Sequence, residues 1–319
     1  SEVYGTGCTQ FQPKFQGAIS NFKIYNSNSN NSHDNTDLVL NYKFNTNSGN
    51  ILYDHSGNEN HGTIYGATWV ENIYGCIDEL ACNHNPGANY NDGTCDYSCH
   101  DNGDYSLNFN LDGYVDIETN NFPLGNTPFT VSTWFYRNEN IGSTQEYIFS
   151  YGEYSGRSFG LGIYANDKLF VTFDGGEYDI ISEINTPALN QWHNLVATHL
   201  GDGEMKVYLN GEMIFINDVN SPNISSLNGK IGAYIDDTQK WNGLLDEIAI
   251  WKKEFDQEEV LSLYLLGASN LSNSQFDEDL SGYWRFNTGD GNILYDFSRN
   301  LNHGEILVQI GFYRVALIL

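Results

Sequence analysis

The stretch from Phe44 to Ile64 returns from Phe286 to Ile306 at a constant offset of 242 residues, without a gap. Asn50-Ile51-Leu52-Tyr53-Asp54 reappears as Asn292-Ile293-Leu294-Tyr295-Asp296, and His61-Gly62 as His303-Gly304. A weaker pair, Gly17 to Tyr25 with Gly243 to Trp251, is offset by 226 residues. The difference of 16 residues matches the length of Phe255 to Asn270, which holds the amphipathic run Glu258 to Leu266 closed by Gly267. That run predicts one short helix, present in the second copy and missing from the first. Such self-similarity points to repeated modules. It predicts residues 1–33 as the C-terminal remnant of a preceding module, 34–271 as a complete module, and 278–306 as the start of a following one. The polar runs Asn26 to Asn35 and Ser269 to Asp279 are the expected linkers. After Ile306 the repeat breaks down: Leu307-Val308-Gln309-Ile310-Gly311 stands where Tyr65-Gly66-Ala67-Thr68-Trp69 has its counterpart. Regrouping possible codons by one base restores Gly, Ala and Trp, so residues 307–319 read as a frameshifted tail.

With 41 Asp and Glu against 14 Lys and Arg, the net charge of −27 excludes nucleic acid as a partner, because phosphate binding needs basic side chains. A field of that sign attracts cations. The 22 Tyr, 18 Phe and 6 Trp are too many for an acidic disordered chain, so 319 residues imply about two globular domains. No apolar run approaches the ~20 residues of a membrane helix, so no membrane insertion is expected. Ser1-Glu2-Val3 carries no initiator Met, which reads as a processed start or a fragment.

Between residues 106 and 209 short β-branched or aromatic runs alternate with glycine turns. Phe129 to Tyr136, Leu169 to Phe173, His193 to His199 and Lys206 to Leu209 are the clearest strands, and Asp112-Gly113, Asp202-Gly203 and Asn210-Gly211 the breaks. The pattern predicts an all-β antiparallel sandwich, or jelly roll.

The succession Tyr42-Lys43-Phe44, Asp54-His55-Ser56-Gly57-Asn58, Phe129 to Trp134, Trp192 to Val196 with Val207 to Gly211, and Gly243 to Trp251 resembles a laminin G-like module of the concanavalin A-like lectin/glucanase superfamily. The match is ordered along residues 38–266. The resemblance implies two curved antiparallel sheets, calcium binding, and extracellular adhesion or carbohydrate recognition.

Residues 73–101 depart from that pattern and hold Cys76, Cys82, Cys95 and Cys99. The spacing fits no zinc motif, so disulfides are expected, which places the chain outside the reducing cytosol; three pairings are open. The insert resembles Cys- and Asn/Asp-rich inserts of bacterial surface proteins. Its Asp78, Asn83, Asn85, Asn91 and Asp92 supply hard oxygens before Gly93, as calcium ligands or equally as turn-forming residues. Cys8 is left over.

The stronger calcium candidate is the loop of Asp54, Asn58 and Asn60. In the family such a loop lies near an acidic pair before the last core strand, here Asp246 and Glu247, so one ion would clip both ends of a module. His61 and His303 read as structural, since a hard-oxygen site has little use for imidazole.

Catalysis is not expected. The nearest carboxylate string, Glu177-Tyr178-Asp179-Ile180-Ile181-Ser182-Glu183, is one residue too long for the glucanase pattern, and a glycoside hydrolase is the weakest reading. For glycans or glycoproteins, Tyr151, Tyr154, Tyr234 and Trp241 are the candidate stacking residues, Trp241 being equally a core residue. The expectation is a calcium-stabilised lectin-like module in adhesion, joined to other modules of the same parent chain, with a structural spacer repeat as the alternative.

Overall fold

The computed structural model describes residues 17–26, 38–140, 144–154, 157–173, 180–182, 187–201, 203–218, 223–225, 228–266, 279–307 and 311–313. The chain divides into two compact units, residues 1–73 and 74–319. In the first unit, β1 (Phe22–Tyr25) pairs antiparallel with β2 (Leu38–Tyr42), and β3 (Ile51–Leu52) with β4 (Gly62–Thr63).

The second unit opens with the insert, where β5 (Tyr74–Gly75) and β6 (Tyr90–Asn91) form a short parallel pair. Its body runs through β7 (Ser106–Asn110), β8 (Tyr114–Ile117), β9 (Phe129–Tyr136), β10 (Glu146–Glu153), β11 (Arg157–Tyr164) and β12 (Lys168–Phe173). It continues with β13 (Ile180–Ile181), β14 (Trp192–His199), β15 (Glu204–Leu209), β16 (Glu212–Asp218), β17 (Asn228–Ile231) and β18 (Asn242–Trp251). After the helix α1 (Gln257–Leu266) come β19 (Leu280–Trp284), β20 (Ile293–Leu294), β21 (Gly304–Leu307) and β22 (Gly311–Tyr313). One sheet has the order β16-β15-β14-β9-β18-β7-β22, with β19 also on β18; the other is β13-β12-β11-β10-β17-β8-β21-β20. All the body pairings are antiparallel, and the two sheets close over one core of apolar side chains including Phe129, Val131, Phe135, Phe149, Leu161, Ile248 and Ile250.

β9 and β18, central in the first sheet, are buried on both faces. Ile248 and Ile250 face the opposite sheet, while Ala249 and Trp251 pack under Val260 and Leu263 of α1. The helix starts at a reciprocal cap: Asp256 Oδ1 accepts from the Glu258 and Glu259 amides at 2.9 Å each, and Glu259 Oε2 accepts from Asp256 N.

The compact units divide the chain elsewhere than the expected module boundaries. Residues 34–73 lie in the first unit, and residues 280–307 belong to the same unit as the sandwich body rather than to a following module. β19 zips onto β18, β21 onto β8, and Trp284, Phe286 and Leu294 enter the core. The physical reason is adjacency along the chain: β19 follows β18 closely enough for antiparallel pairing, and its apolar face completes the core. Most of residues 307–319, with Cys8, lies outside the described residues, as do Glu177, Asp179 and Glu183.

Candidate functional site

Asp296 shows what the repeated loop is for. Its Oδ1 accepts from Tyr283 N at 2.9 Å and Ser298 N at 2.8 Å; its Oδ2 accepts from Ser298 Oγ at 2.8 Å and Asn302 N at 2.9 Å. Asp296 N in turn donates to His303 Nδ1 at 3.0 Å. Asp54 repeats the arrangement with Asn41 N, Ser56 N, Ser56 Oγ and Asn60 N at 2.7–3.0 Å, and donates from its own amide to His61 Nδ1. Four donors fill the roughly four lone-pair sites of a carboxylate. Asn58 and Asn60 meanwhile turn their Nδ2 groups to the carbonyls of Leu38 and Val39. The loop of Asp54, Asn58 and Asn60 is thus held to the preceding strand by its own hydrogen bonds, with the Asp54 carboxylate facing backbone amides. His61 and His303 each accept from the amide of the loop aspartate.

The two aspartates differ only in burial. Burial pushes Asp54 up, but the Ser56, Asn41 and Asn60 donors outweigh it and hold the carboxyl well below the usual range. For Asp296 burial outweighs the same kinds of donor, and the carboxyl is raised.

In the insert, Cys76 is bonded to Cys95 and Cys82 to Cys99, which selects one of the three pairings. The expected calcium oxygens each accept a hydrogen bond, most of them from a residue two positions ahead. Asp78 Oδ1 accepts from Leu80 N and Oδ2 from Tyr97 Oη; Asn83 Oδ1 accepts from Asp96 N, Asn85 Oδ1 from Gly87 N, Asn91 Oδ1 from Gly93 N, and Asp92 Oδ1 from Thr94 N and Oγ1. Side-chain acceptors of this kind are what Asx-turns use. The insert docks on the repeat loop of its own unit. His100 stacks on Tyr295 with ring centroids 3.7 Å apart, Tyr97 lies edge-on to His303, Asp101 pairs with Arg285 at 2.6 Å, and Asn102 N donates to Asn287 O.

Asp246 and Glu247 sit at an irregularity in β18, where pairing with β9 skips from Asp246 to Ala249 and Glu247 takes φ 50°. Both carboxyls are buried. Asp246 Oδ1 accepts from Glu247 N at 2.8 Å, and Glu247 Oε2 accepts from the Tyr283 hydroxyl. Burial, then the Glu247 charge, raises Asp246 well above the usual carboxylate range; burial raises Glu247 to about 7, against the pull of Tyr283 and Arg285. Asp104 bears electrostatically on both carboxyls and Asp101 on Glu247, with Arg285 the opposing charge. Four carboxyls thus bear on this corner against one guanidinium. The loop in the same unit as this pair is that of Asp296, whereas Asp54 belongs to the first unit.

Of the aromatics expected to meet sugar, three are buried. Tyr151 is in the core among Phe122, Phe129 and Phe159, Trp241 meets Phe135 edge-on at 5.8 Å, and Tyr234 packs on Tyr147 at 4.7 Å. Tyr154 alone is open, at 66% exposure. Glycine and aspartate neighbours mark turns but do not tell which way a ring points.

What the sequence did not reveal is a pocket of about 490 Å³ lined by Leu111, Thr144, Gln145, Glu146, Tyr164, Gln239 and Lys240. Gln239 Nε2 donates to Gln145 Oε1 at 3.1 Å, Gln145 Nε2 to Tyr147 Oη at 3.1 Å, and Asn242 N to Glu146 Oε2 at 3.1 Å. Burial, reinforced by Glu139 and Asp167, pushes Glu146 up to about 7 against the Asn242 amide and Arg137. The lining comes from four separate chain segments, so no motif announces it.

The two antiparallel sheets form a β-sandwich, with one α-helix among the described residues. Residues 109–261 match a laminin G family model described as the concanavalin A-like lectin/glucanases superfamily. A Bacteroides ovatus protein assigned as carbohydrate-binding superposes with a TM-score of 0.51 at 18% identity, over 66% of this chain and 60% of that one. This chain thus spans about 60% of that protein's length. A SAP-like pentraxin from Limulus polyphemus aligns at TM-score 0.41 and 18% identity, over 50% of this chain and 82% of that one. The sialidase carbohydrate-binding module CBM40 of Ruminococcus gnavus, bound to α2,3-sialyllactose, aligns at TM-score 0.37 and 12% identity, over 43% and 83%. No curated protein matches the chain. Among the described residues no helix is long and apolar enough to cross a membrane.

Proposed function

We propose that the second unit is a non-catalytic, extracellular glycan-binding module acting in adhesion, and that the pocket beside Glu146 is its binding site. The observation that carries this reading is the lining itself. The polar residues Thr144, Gln145, Glu146, Gln239 and Lys240 line a space of about 490 Å³ together with Leu111 and Tyr164. Sugars offer hydroxyls for such groups and an apolar face for a ring. The fold shared with the Bacteroides ovatus carbohydrate-binding protein supports the ligand class. Two disulfides support an oxidising, extracellular setting. Calcium belongs, on this reading, at the buried pair Asp246 and Glu247.

The test is thermal unfolding of the whole chain against a glycan panel, with calcium and with chelator. Binding to the native state raises its stability by RT ln(1 + [L]/Kd). A glycan-dependent rise that disappears in Tyr164→Ala and Gln239→Ala, without release of reducing sugar, is the expected result. No response to any glycan would move the reading to a structural spacer, which the repeated loop supports. A calcium response surviving Asp246→Asn would remove the metal assignment.

A further inference from the structure

The first unit copies the closing strands of the second residue by residue. Phe22 faces Tyr42 as Ile248 faces Trp284, Ile24 faces Leu40 as Ile250 faces Gly282, and Tyr25 faces Leu38 as Trp251 faces Leu280. Even the register irregularity falls at the same step, between Ile24 and Tyr25 and between Ile250 and Trp251. The Ile51 to Thr63 pairing repeats Ile293 to Glu305, and the isolated bridge of Tyr42 to Asp54 repeats that of Trp284 to Asp296.

In the second unit these strands close a sandwich. β18 lies between β9 and β7, β21 lies on β8, and Leu245, Ile248 and Ile250 are 0% exposed. Their counterparts Ile19, Phe22 and Ile24 are 50%, 47% and 43% exposed. Side chains that the repeat places at core positions thus stand open on a two-stranded ribbon, an arrangement of marginal stability in water by itself.

We infer that residues 17–26 and 38–64 form a docking surface for the body of another copy of the same module, a partner equivalent to residues 74–226 and preceding them in the parent polypeptide. Phe22 and Ile24 would enter its core, Gly62 to Ile64 would pair with its equivalent of β8, and its disulfide-bonded insert would cover Tyr53 and His61, as the second unit's own insert covers Tyr295 and His303. A second molecule of this chain is a poorer occupant, because its body already holds its own residues 280–307.

The test extends the chain. Gly17 corresponds to Gly243, so a repeat of residues 74–226 placed directly ahead of Ser1 restores the repeat spacing. Hydrogen exchange is measured on both chains. In the unextended chain the amides of residues 38–42 and 62–64 are expected to exchange on the order of a hundredfold faster than those of 280–284 and 304–306. In the extended chain they should slow to within about tenfold of the latter, and Phe22→Asp with Ile24→Asp should restore fast exchange there. Unchanged exchange in the extended chain would overturn the inference. Two measurements on the unextended chain stand without that fusion. It should bind the apolar dye ANS, and lose that binding in Phe22→Ser with Ile24→Ser; it should also sediment as a monomer. Slow exchange over residues 17–64 with no dye binding, or a dimer dissociated by those substitutions, would equally overturn the assigned occupant.

Discussion

His303 Nε2 donates to Asp78 Oδ2 across 2.8 Å, joining positions 225 residues apart. The direction is set by the other nitrogen: Nδ1 accepts from Asp296 N, so the proton resides on Nε2. One neutral imidazole thereby locks the repeat loop on one side and the insert on the other. His303→Ala strands the Asp296 amide and removes the contact to Asp78. It should cost about 1–3 kcal/mol by denaturant unfolding, and His303→Gln should recover part of the loss.

The disulfides span 19 and 17 residues in sequence. Closing loops of that size stabilises by about 3 kcal/mol each. The buried apolar groups of the insert are few, chiefly Ala81, Tyr97 and the Cys76–Cys95 cystine, so reduction is expected to unfold it. The sandwich core shares no cysteine and should persist, which limited proteolysis under reducing conditions would reveal as cleavage confined to residues 74–103.

Glu146 makes stability fall as pH rises. Its ordinary value is near 4.5 and the folded value about 7, so between these the folded state keeps a proton that the unfolded chain has released. Stability is full below about 4.5, declines through the window and levels off above 7. Because the pocket admits water, the total is roughly 2 kcal/mol. Glu146→Gln should flatten this component in denaturation curves recorded from pH 4 to 8.

Trp284 and Tyr42 occupy the same place in the two copies, yet Trp284 is fully buried, donating from Nε1 to Asn302 O at 2.9 Å, while Tyr42 is only partly covered. Trp284→Ala should cost about 3–5 kcal/mol. Tyr42→Ala should leave the unfolding of the second unit unchanged, and equal effects on that transition would contradict the division of the chain.

The loop chemistry was legible because it is local. Asp54 and Asp296 meet Ser and Asn donors two and six residues ahead and a histidine seven ahead, and that spacing is visible in the letters. The strands were legible through their alternation and glycine breaks, and the helix through Glu258 to Leu266. The partners of the loop oxygens were not, since an Asp-Ser-Asn string looks the same whether its oxygens face an ion or backbone amides. The aromatics misled for a related reason: Tyr151 and Tyr154 are three residues apart, but a ring's burial depends on the opposite sheet.

By itself the sequence determined that the chain repeats, that it builds an antiparallel sandwich, and that its insert is held by disulfides. Only the tertiary structure decided which copy of the repeat closes the sandwich, which cysteines pair, and which polar side chains meet around Glu146. The reason is that hydrogen bonds within a loop are specified by neighbours along the chain. The choice among equivalent strands is made by burial against β8 and β9, far away in sequence, where Ile248 and Phe22 carry the same local signature and only Ile248 finds a core.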